Sequence, residues 1–158
     1  MKQLLMMILA ASCLISCTST PSSNLGSFSE AIGKNWKLSE VQIDSVPFRK
    51  IVLYNRNELK KEKIENIYTI NFGADNTVSG VGAPNRYSGP YTQGDEQSLE
   101  IGLLRSTLMA AIVQPEKLQE NVYYNYLNKV YKWESKSGTL ILHSKNEAGN
   151  DVRLIFGL

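Results

Sequence analysis

Few side chains in this sequence have the type and spacing needed for catalysis. His143 is the one histidine, so a Ser-His-Asp or Cys-His arrangement would have to be built on it. It follows Leu142 in a segment of alternating apolar residues and points away from Leu140 and Leu142, which predicts the exposed face of a strand. A single histidine and no cysteine beyond Cys17 leave mainly carboxylates for a metal site. We therefore predict no catalytic residue, no metal and no cofactor, and a protein that is not an enzyme.

The residues best suited to binding are Asn85, Arg86 and Tyr87, which follow a glycine-containing turn. In one interpretation Asn85 hydrogen-bonds the turn backbone while Tyr87 and Tyr91 pack inside a sheet. In the other, Arg86 and the aromatic side chains line a cleft at the open end of the sheet and hold a ligand. Tyr124 lies off the apolar stripe of a predicted helix, so we expect it to be exposed and available to a partner. A hydrolase using a cleft near Arg86 is the enzymatic alternative.

Cys17 is the candidate for covalent lipid attachment. Residues 1–3 carry one lysine and residues 4–11 are apolar, which is typical of a secretory signal peptide. The apolar run breaks at Ser12 and is shorter than the roughly 20 residues of a transmembrane helix. Residues 14–17 resemble the lipobox of bacterial lipoproteins, whose signal peptidase cuts before a cysteine that carries lipid. The resemblance implies export and membrane anchoring through Cys17, with an outer-membrane location favoured.

These features divide the chain into three parts. The signal peptide would comprise residues 1–16 and leave 142 residues, enough for a single domain. Residues 17–30 are rich in serine, threonine and asparagine and predict a flexible tether, so residues 31–158 would form the folded domain. Cys13 would leave with the signal and Cys17 would carry lipid, so we expect no disulfide.

The charge balance gives little indication of a partner. Without Lys2 the chain carries 16 basic and 15 acidic side chains, which argues against nucleic-acid binding. The local excess of lysine and arginine between Arg49 and Glu65 predicts a solvated insertion or, alternatively, a basic patch that touches anionic head groups. We expect a monomer that contacts the membrane through its lipid, and another envelope protein is a candidate partner.

Apolar residues recur mostly with a period of two from Trp36 onward. The alternating segments start at Trp36, with a slip near Ser39, and recur in residues 68–72, 77–81, 87–91, 99–101, 138–144 and 151–156. Short strands separated by turns predict a mainly antiparallel β-sheet that is curved or barrel-like.

One segment has the period of a helix instead. Apolar side chains between Pro115 and Val130 recur at helical spacing, and Pro115 suits a first turn: Leu118, Val122, Tyr123, Tyr126, Leu127 and Val130. Glu116 and Glu120 lie toward the positive end of the helix dipole. We predict one amphipathic helix packed on the sheet. Residues 57–65 suggest a short second helix.

The order of several motifs resembles the META domain family, which includes the heat-shock protein HslJ. Residues 80–91 match its strand, turn and aromatic signature at Asn85, Tyr87, Gly89 and Tyr91. Residues 107–111 are similar to its threonine-x-methionine-alanine-cysteine motif, and residues 120–127 to its glutamate-aromatic-leucine helix. The resemblance covers about residues 36–156.

The resemblance implies an antiparallel, barrel-like sheet with a helix against it and no established enzymatic activity. Two family cysteines, which are thought to form a disulfide, correspond to Pro84 and Ala111 here, so both partners of that bridge are absent. Family members are associated with heat-shock response and antibiotic tolerance. We therefore expect a lipid-anchored, non-enzymatic stress-related or structural factor or, alternatively, a module that binds a ligand or protein near Arg86 and Tyr124.

Overall fold

The computed structural model describes residues 26–45, 49–57, 66–109 and 114–158. Within these residues a 3-10 turn at Phe28–Glu30 precedes the sheet, and one α-helix, α1, covers Glu120–Asn128. In chain order the strands are β1 (Trp36–Ser45), β2 (Arg49–Asn55), β3 (Thr69–Phe72), β4 (Thr77–Val81), β5 (Arg86–Gln93), β6 (Leu99–Ile101), β7 (Arg105–Ser106), β8 (Lys132–Lys136), β9 (Thr139–Lys145) and β10 (Asp151–Gly157).

All ladders between these strands are antiparallel, which confirms the predicted fold class. The order in the sheet is β6-β5-β4-β3-β1-β10-β9-β8, while β2 pairs with β1 and β7 with β5. The central strand β1 pairs along one edge with β10; along the other it pairs first with β3 and then with β2. The slip at Ser39 is a register shift between Leu38 and Glu40, where the Ser39 hydroxyl donates to the Ile155 carbonyl at 2.8 Å.

The described sheet does not close into a barrel, so that form of the prediction is wrong. Its two ends, β6 and β8, meet only through an isolated bridge between Ser98 and Lys132. Two hydrogen bonds flank this bridge, from the Leu99 amide to the Tyr131 carbonyl at 3.2 Å and from the Trp133 amide to the Gln97 carbonyl at 3.0 Å. Within the described residues no further pair extends this bridge into a ladder between β6 and β8.

The core lies between the inner face of the sheet and α1. In β9 and β10 buried and half-buried residues alternate without a break, as a period of two requires. Packing extends to Phe28, inside the segment predicted as tether: its side chain is 2% exposed and its ring contacts those of Phe72, Tyr91 and Trp133.

The helix begins later than its apolar pattern predicts. Leu118, Tyr123, Tyr126 and Leu127 are buried as expected, but α1 starts at Glu120 rather than near Pro115. The Leu118 carbonyl accepts a hydrogen bond from the Tyr68 hydroxyl, which holds the residues before α1 against β3. No described helix has the length and apolarity that crossing a bilayer requires.

The predicted charged insertion is partly a strand. Residues 49–55 form β2, because the far half of β1 offers them an open edge for pairing. Most of the suggested second helix, residues 58–65, lies outside the described residues, as does Cys17 with the predicted signal peptide.

Candidate functional site

The turn between β4 and β5 positions three of the predicted binding residues. The Gly82 amide donates to the Asn85 carbonyl at 2.6 Å, which closes the turn, and Arg86 and Tyr87 are the first two residues of β5. Because successive side chains of a strand alternate between faces, Arg86 is exposed and Tyr87 is buried. The three neighbouring residues therefore enter different environments.

Asn85 belongs to a polar cluster, the Glu120 cluster, formed by the buried residues Asn85 and Glu120, the half-buried Tyr124 and the exposed Thr107. The Glu120 side chain is 9% exposed. Its Oε1 accepts hydrogen bonds from the amides of Ala83 at 2.6 Å and Asn85 at 2.7 Å, and its Oε2 accepts one from Asn85 Nδ2 at 2.7 Å. A buried carboxylate is costly without such donors, and its place in the first turn of α1 also suits its negative charge.

The same asparagine extends the cluster to the segment that follows β7. Asn85 Oδ1 accepts hydrogen bonds from the Thr107 hydroxyl at 2.8 Å and from the Met109 amide at 2.7 Å. Thr107 Oγ1 in turn accepts from the Arg86 amide at 3.2 Å. One hydrogen-bond network thus joins the β4–β5 turn, the exposed residues 107–109 and the start of α1, and its arrangement is that of a structural cross-link.

Tyr124 contributes to this cluster and is half-buried, where the sequence predicts it exposed. Its hydroxyl lies 3.1 Å from Glu120 Oε1 and 3.3 Å from the Asn85 carbonyl oxygen. Burial raises the pKa of Tyr124, and the charge of Glu120 raises it further. The phenol therefore remains a hydrogen-bond donor at neutral pH. Its predicted contact with a partner stays a prediction.

Tyr87 closes a gap between β3 and β4 from inside the molecule. The ladder between these strands contains only the pairs Asn71–Ser79 and Phe72–Val78. Beyond it the Tyr87 hydroxyl donates to the Thr69 carbonyl at 2.8 Å. Burial raises the pKa of Tyr87, so this donor stays protonated. The interior position of Tyr87 agrees with the first of the two interpretations of the sequence.

On the outer side of this gap lies an open groove of about 610 Å³, which we call the Arg86 groove. It is lined by Asn35, Lys37, Asn66, Thr69, Asn71, Ser79, Gly80, Val81, Arg86 and Tyr87. Lys37 and Arg86 make no ion pair with any residue in the described part of the chain. The groove therefore presents two cations together with amide and hydroxyl groups. Arg86 belongs to it, whereas Asn85 and Tyr124 do not.

His143 lies far from this groove in the sheet order, on the outer face of β9. Its Nε2 is 3.2 Å from Glu134 Oε1, and the side chain is half-buried between strand neighbours Lys132 and Arg153. Burial lowers the pKa of His143, and the two neighbouring cations act in the same direction, while Glu134 opposes them. Among the residues that the structure describes, no group of three or more histidine, cysteine or acidic side chains is placed to hold a metal.

Exposed apolar side chains are concentrated after β6. Leu103 is 79% exposed, Met109 is 61% exposed and Leu108 is 98% exposed. The segment is nevertheless held in place by Asn85, which binds the backbone at Met109. Such exposure suits a protein contact, and the predicted envelope partner stays a prediction.

The sequence does not reveal which residues contact the candidate site residues. Thr107 is noted only as a motif position, and Glu120 only as a motif position and a first-turn acid of the helix. Their contacts with Asn85 span 22 and 35 residues and leave no local pattern. Lys37 and the asparagines of the groove come from separate strands and loops, and ordinary surface residues would look the same. Of the two positions of the family disulfide, Pro84 lies in the β4–β5 turn and Ala111 lies outside the described residues.

Together these features define the class of protein. It has an open antiparallel sheet and one described helix, which a buried glutamate joins to the β4–β5 turn. The META domain family model matches residues 29–155. Since the match spans most of the chain, the protein belongs to the META domain family. This confirms the resemblance found in the sequence and indicates no catalytic family.

Two solved structures share the fold. An NMR structure of a protein from Burkholderia xenovorans matches with a TM-score of 0.55 and 19% identity, over 82% of this chain and 83% of that one. A crystal structure of a DUF4847 family protein from Bacteroides vulgatus matches with a TM-score of 0.54 and 15% identity, over 84% and 96% of the two chains. A search of curated proteins finds no match. At these identities the likeness concerns the fold alone.

Proposed function

We propose that this META domain protein is a non-enzymatic binding module of the cell envelope that holds a small polar ligand in the Arg86 groove. The observation that carries the proposal is the pair of cations in that groove, Lys37 and Arg86, neither of which is ion-paired within the described residues. A cation held beside several hydrogen-bonding groups but lacking a protein counter-charge suits recognition of an external anion.

The arrangement favours binding over catalysis. The described lining residues of the groove include no carboxylate and no histidine, which are the usual general bases. The nearest buried carboxylate, Glu120, accepts several hydrogen bonds from the turn and so serves the fold. A hydrolase would need a proton acceptor that the described groove does not offer.

The proposal includes the membrane anchor predicted for Cys17. Two or more acyl chains on that cysteine would give stable attachment, where one chain alone would be marginal. Residues 18–25, if extended, would let the domain move up to about 28 Å from the lipid at roughly 3.5 Å per residue. An anchored module of this kind would act on ligands at the membrane surface, with the outer membrane as the favoured location.

Amide chemical shifts test the groove as a binding site. The full chain, labelled with ¹⁵N and purified in detergent, would be titrated with small-molecule and glycan fractions of an envelope extract. We expect at least one fraction to shift the amides of groove residues such as Lys37, Asn71 and Arg86. The double variant Lys37→Gln, Arg86→Gln should lose these shifts, while the control Lys136→Gln, which changes an exposed lysine of β8, should keep them. Shifts confined to other surfaces, or none with any fraction, would exclude the groove.

A further inference from the structure

The chemistry of the groove also indicates what class of ligand it holds. Resting on the proposed function, we propose that the Arg86 groove binds an acidic saccharide, a hydroxyl-rich ligand that carries a carboxylate or phosphate. Three features of the described groove carry this inference: its charge, the types of its uncharged side chains, and the state of the backbone at its floor.

The charge of the groove selects for an anion. Its described lining contains two cations and no acidic side chain, so an amine or other cationic ligand would meet repulsion without a counter-charge. The guanidinium of Arg86 can hold two oxygens of a carboxylate or phosphate at once, while the Lys37 ammonium acts as a point charge. With two cations, the described lining of the groove lacks the row of phosphate contacts that a nucleic-acid strand needs.

The uncharged polar side chains of the described groove match hydroxyl groups. Asn35, Asn66 and Asn71 provide amides that both donate and accept, and Ser79 adds a hydroxyl. Asn71 uses its Nδ2 to bind the Lys34 carbonyl at 2.9 Å, which fixes the amide and leaves its oxygen as an acceptor. Val81 is the only aliphatic side chain in the described lining, and Tyr87 is its one aromatic side chain.

The floor of the groove excludes an extended peptide that would pair as an added strand. Such binding needs free backbone donors and acceptors at a strand edge. At the gap between β3 and β4 those groups are already used. The Thr69 carbonyl accepts from Tyr87, and the Val81 amide donates to Thr69 Oγ1 at 3.1 Å. The Tyr68 amide donates to the Gly82 carbonyl at 3.1 Å. The ligand must therefore be recognised by side chains.

The separation of the two cations also indicates the size of the ligand. Lys37 lies opposite Thr69 on β3, and Arg86 lies opposite Val81 on β4. Their backbones are thus separated by three strand spacings, or about 14 Å. Both side chains are long enough to lean inward over the gap. A ligand of one or two sugar rings could place its acid group against one of the cations. Its hydroxyls would then hydrogen-bond the amide side chains of the groove.

Defined probes test this inference. The ¹⁵N-labelled full chain would be titrated at constant ionic strength with glucuronate, glucose 6-phosphate, neutral glucose and inorganic phosphate. We expect the two acidic sugars to shift the groove amides with at least tenfold tighter Kd than glucose or phosphate. Arg86→Gln should weaken binding of the acidic sugars about tenfold, and Lys37→Gln should weaken it less. The matched control Arg105→Gln, which changes an exposed arginine on β7, should bind as the wild type does.

The outcomes separate this inference from the proposed function. Glucose binding as tightly as glucuronate would overturn the requirement for an acid, and phosphate binding as tightly as glucose 6-phosphate would overturn the requirement for a sugar. Failure of all four probes would overturn the ligand class. In each case, groove shifts produced by an envelope fraction would leave the proposed function standing. Variant spectra that match the wild type away from the groove exclude misfolding as the cause of a loss.

Discussion

Asn85 and Arg86 are neighbours in the chain, yet they belong to two regions with opposite properties. Around Asn85, in the Glu120 cluster, a buried carboxylate accepts three hydrogen bonds from the β4–β5 turn and lies 3.1 Å from the Tyr124 hydroxyl. Around Arg86, in the Arg86 groove, two cations face solvent with no ion pair from the described residues. Polar character alone therefore does not identify a binding site. A polar group with its partners in place stabilises the fold, and one that lacks them is available to a ligand.

Loss of the Glu120 carboxylate should have the largest effect on stability. Glu120→Ala removes the acceptor of the Ala83 and Asn85 amides and leaves buried donors without a partner. We expect the free energy of unfolding to fall by about 3 kcal/mol, measured by urea denaturation. Glu116→Ala, an exposed glutamate just before α1, is the matched control and should change stability by less than about 0.5 kcal/mol. Equal effects of the two substitutions would contradict the structural role of the cluster.

A methyl group at Gly82 should disturb the same cluster by crowding it. A Cβ at this position would lie 2.4 Å from the Tyr124 hydroxyl oxygen and 2.5 Å from Glu120 Oε1. We expect Gly82→Ala to lower the free energy of unfolding by about 2 kcal/mol. Gly157→Ala is the control, since a Cβ there meets nothing within 4 Å. If thermal denaturation shows no difference between the two variants, the close approach of α1 to the turn is wrong.

Tyr124 should make the stability contributed by the Glu120 cluster depend on pH in the alkaline range. Because the folded state raises the pKa of this phenol above its ordinary value of 10.0, its contribution is fully present below pH 10 and is lost as the pH rises further. Tyr124→Phe should cost about 1 kcal/mol at pH 7 through the lost hydrogen bond. It should also make stability fall less steeply than in the wild type above pH 10. Denaturation midpoints at a series of pH values check both effects, and parallel curves would contradict the second.

Arg86 should show the smallest effect on stability, which is the other half of the comparison. Its exposed side chain makes no ion pair within the described structure, so we expect Arg86→Gln to change the free energy of unfolding by less than about 0.5 kcal/mol. Urea denaturation beside Glu120→Ala measures the contrast directly. A loss of 2 kcal/mol or more would mean that Arg86 serves the fold, and the two regions would no longer differ.

The sequence predicts those elements whose own residues carry the pattern. Segments that alternate apolar and polar residues form β3, β9 and β10, and the break at Ser39 is a register shift. β8 escapes prediction because its inward residues are Trp133 and a buried serine, Ser135, so only one apolar position marks it. β2 is not predicted because its composition is charged. It forms because an edge of β1 is available for strand pairing.

The candidate site is likewise predicted only in part. The resemblance and the residue types select Asn85, Arg86 and Tyr87, but not the roles that separate them. Those roles depend on contacts with residues distant in the sequence, such as Glu120 for Asn85 and Thr69 for Tyr87. Exposure of Tyr124 is predicted wrongly because the apolar stripe of α1 describes only its contact with the core. A polar residue at the edge of that stripe can still face a buried carboxylate.

The division between a structural cluster and a binding groove is tested most directly by the map of amide shifts when the full chain is titrated with envelope fractions. We expect shifts that cluster on groove residues from β1, β3 and β5. These shifts should disappear in the Lys37→Gln, Arg86→Gln double variant, whose spectrum should remain that of a folded protein. Shifts that persist in the double variant, or that occur only around Asn85 and Glu120, would contradict the division between a structural cluster and a binding groove.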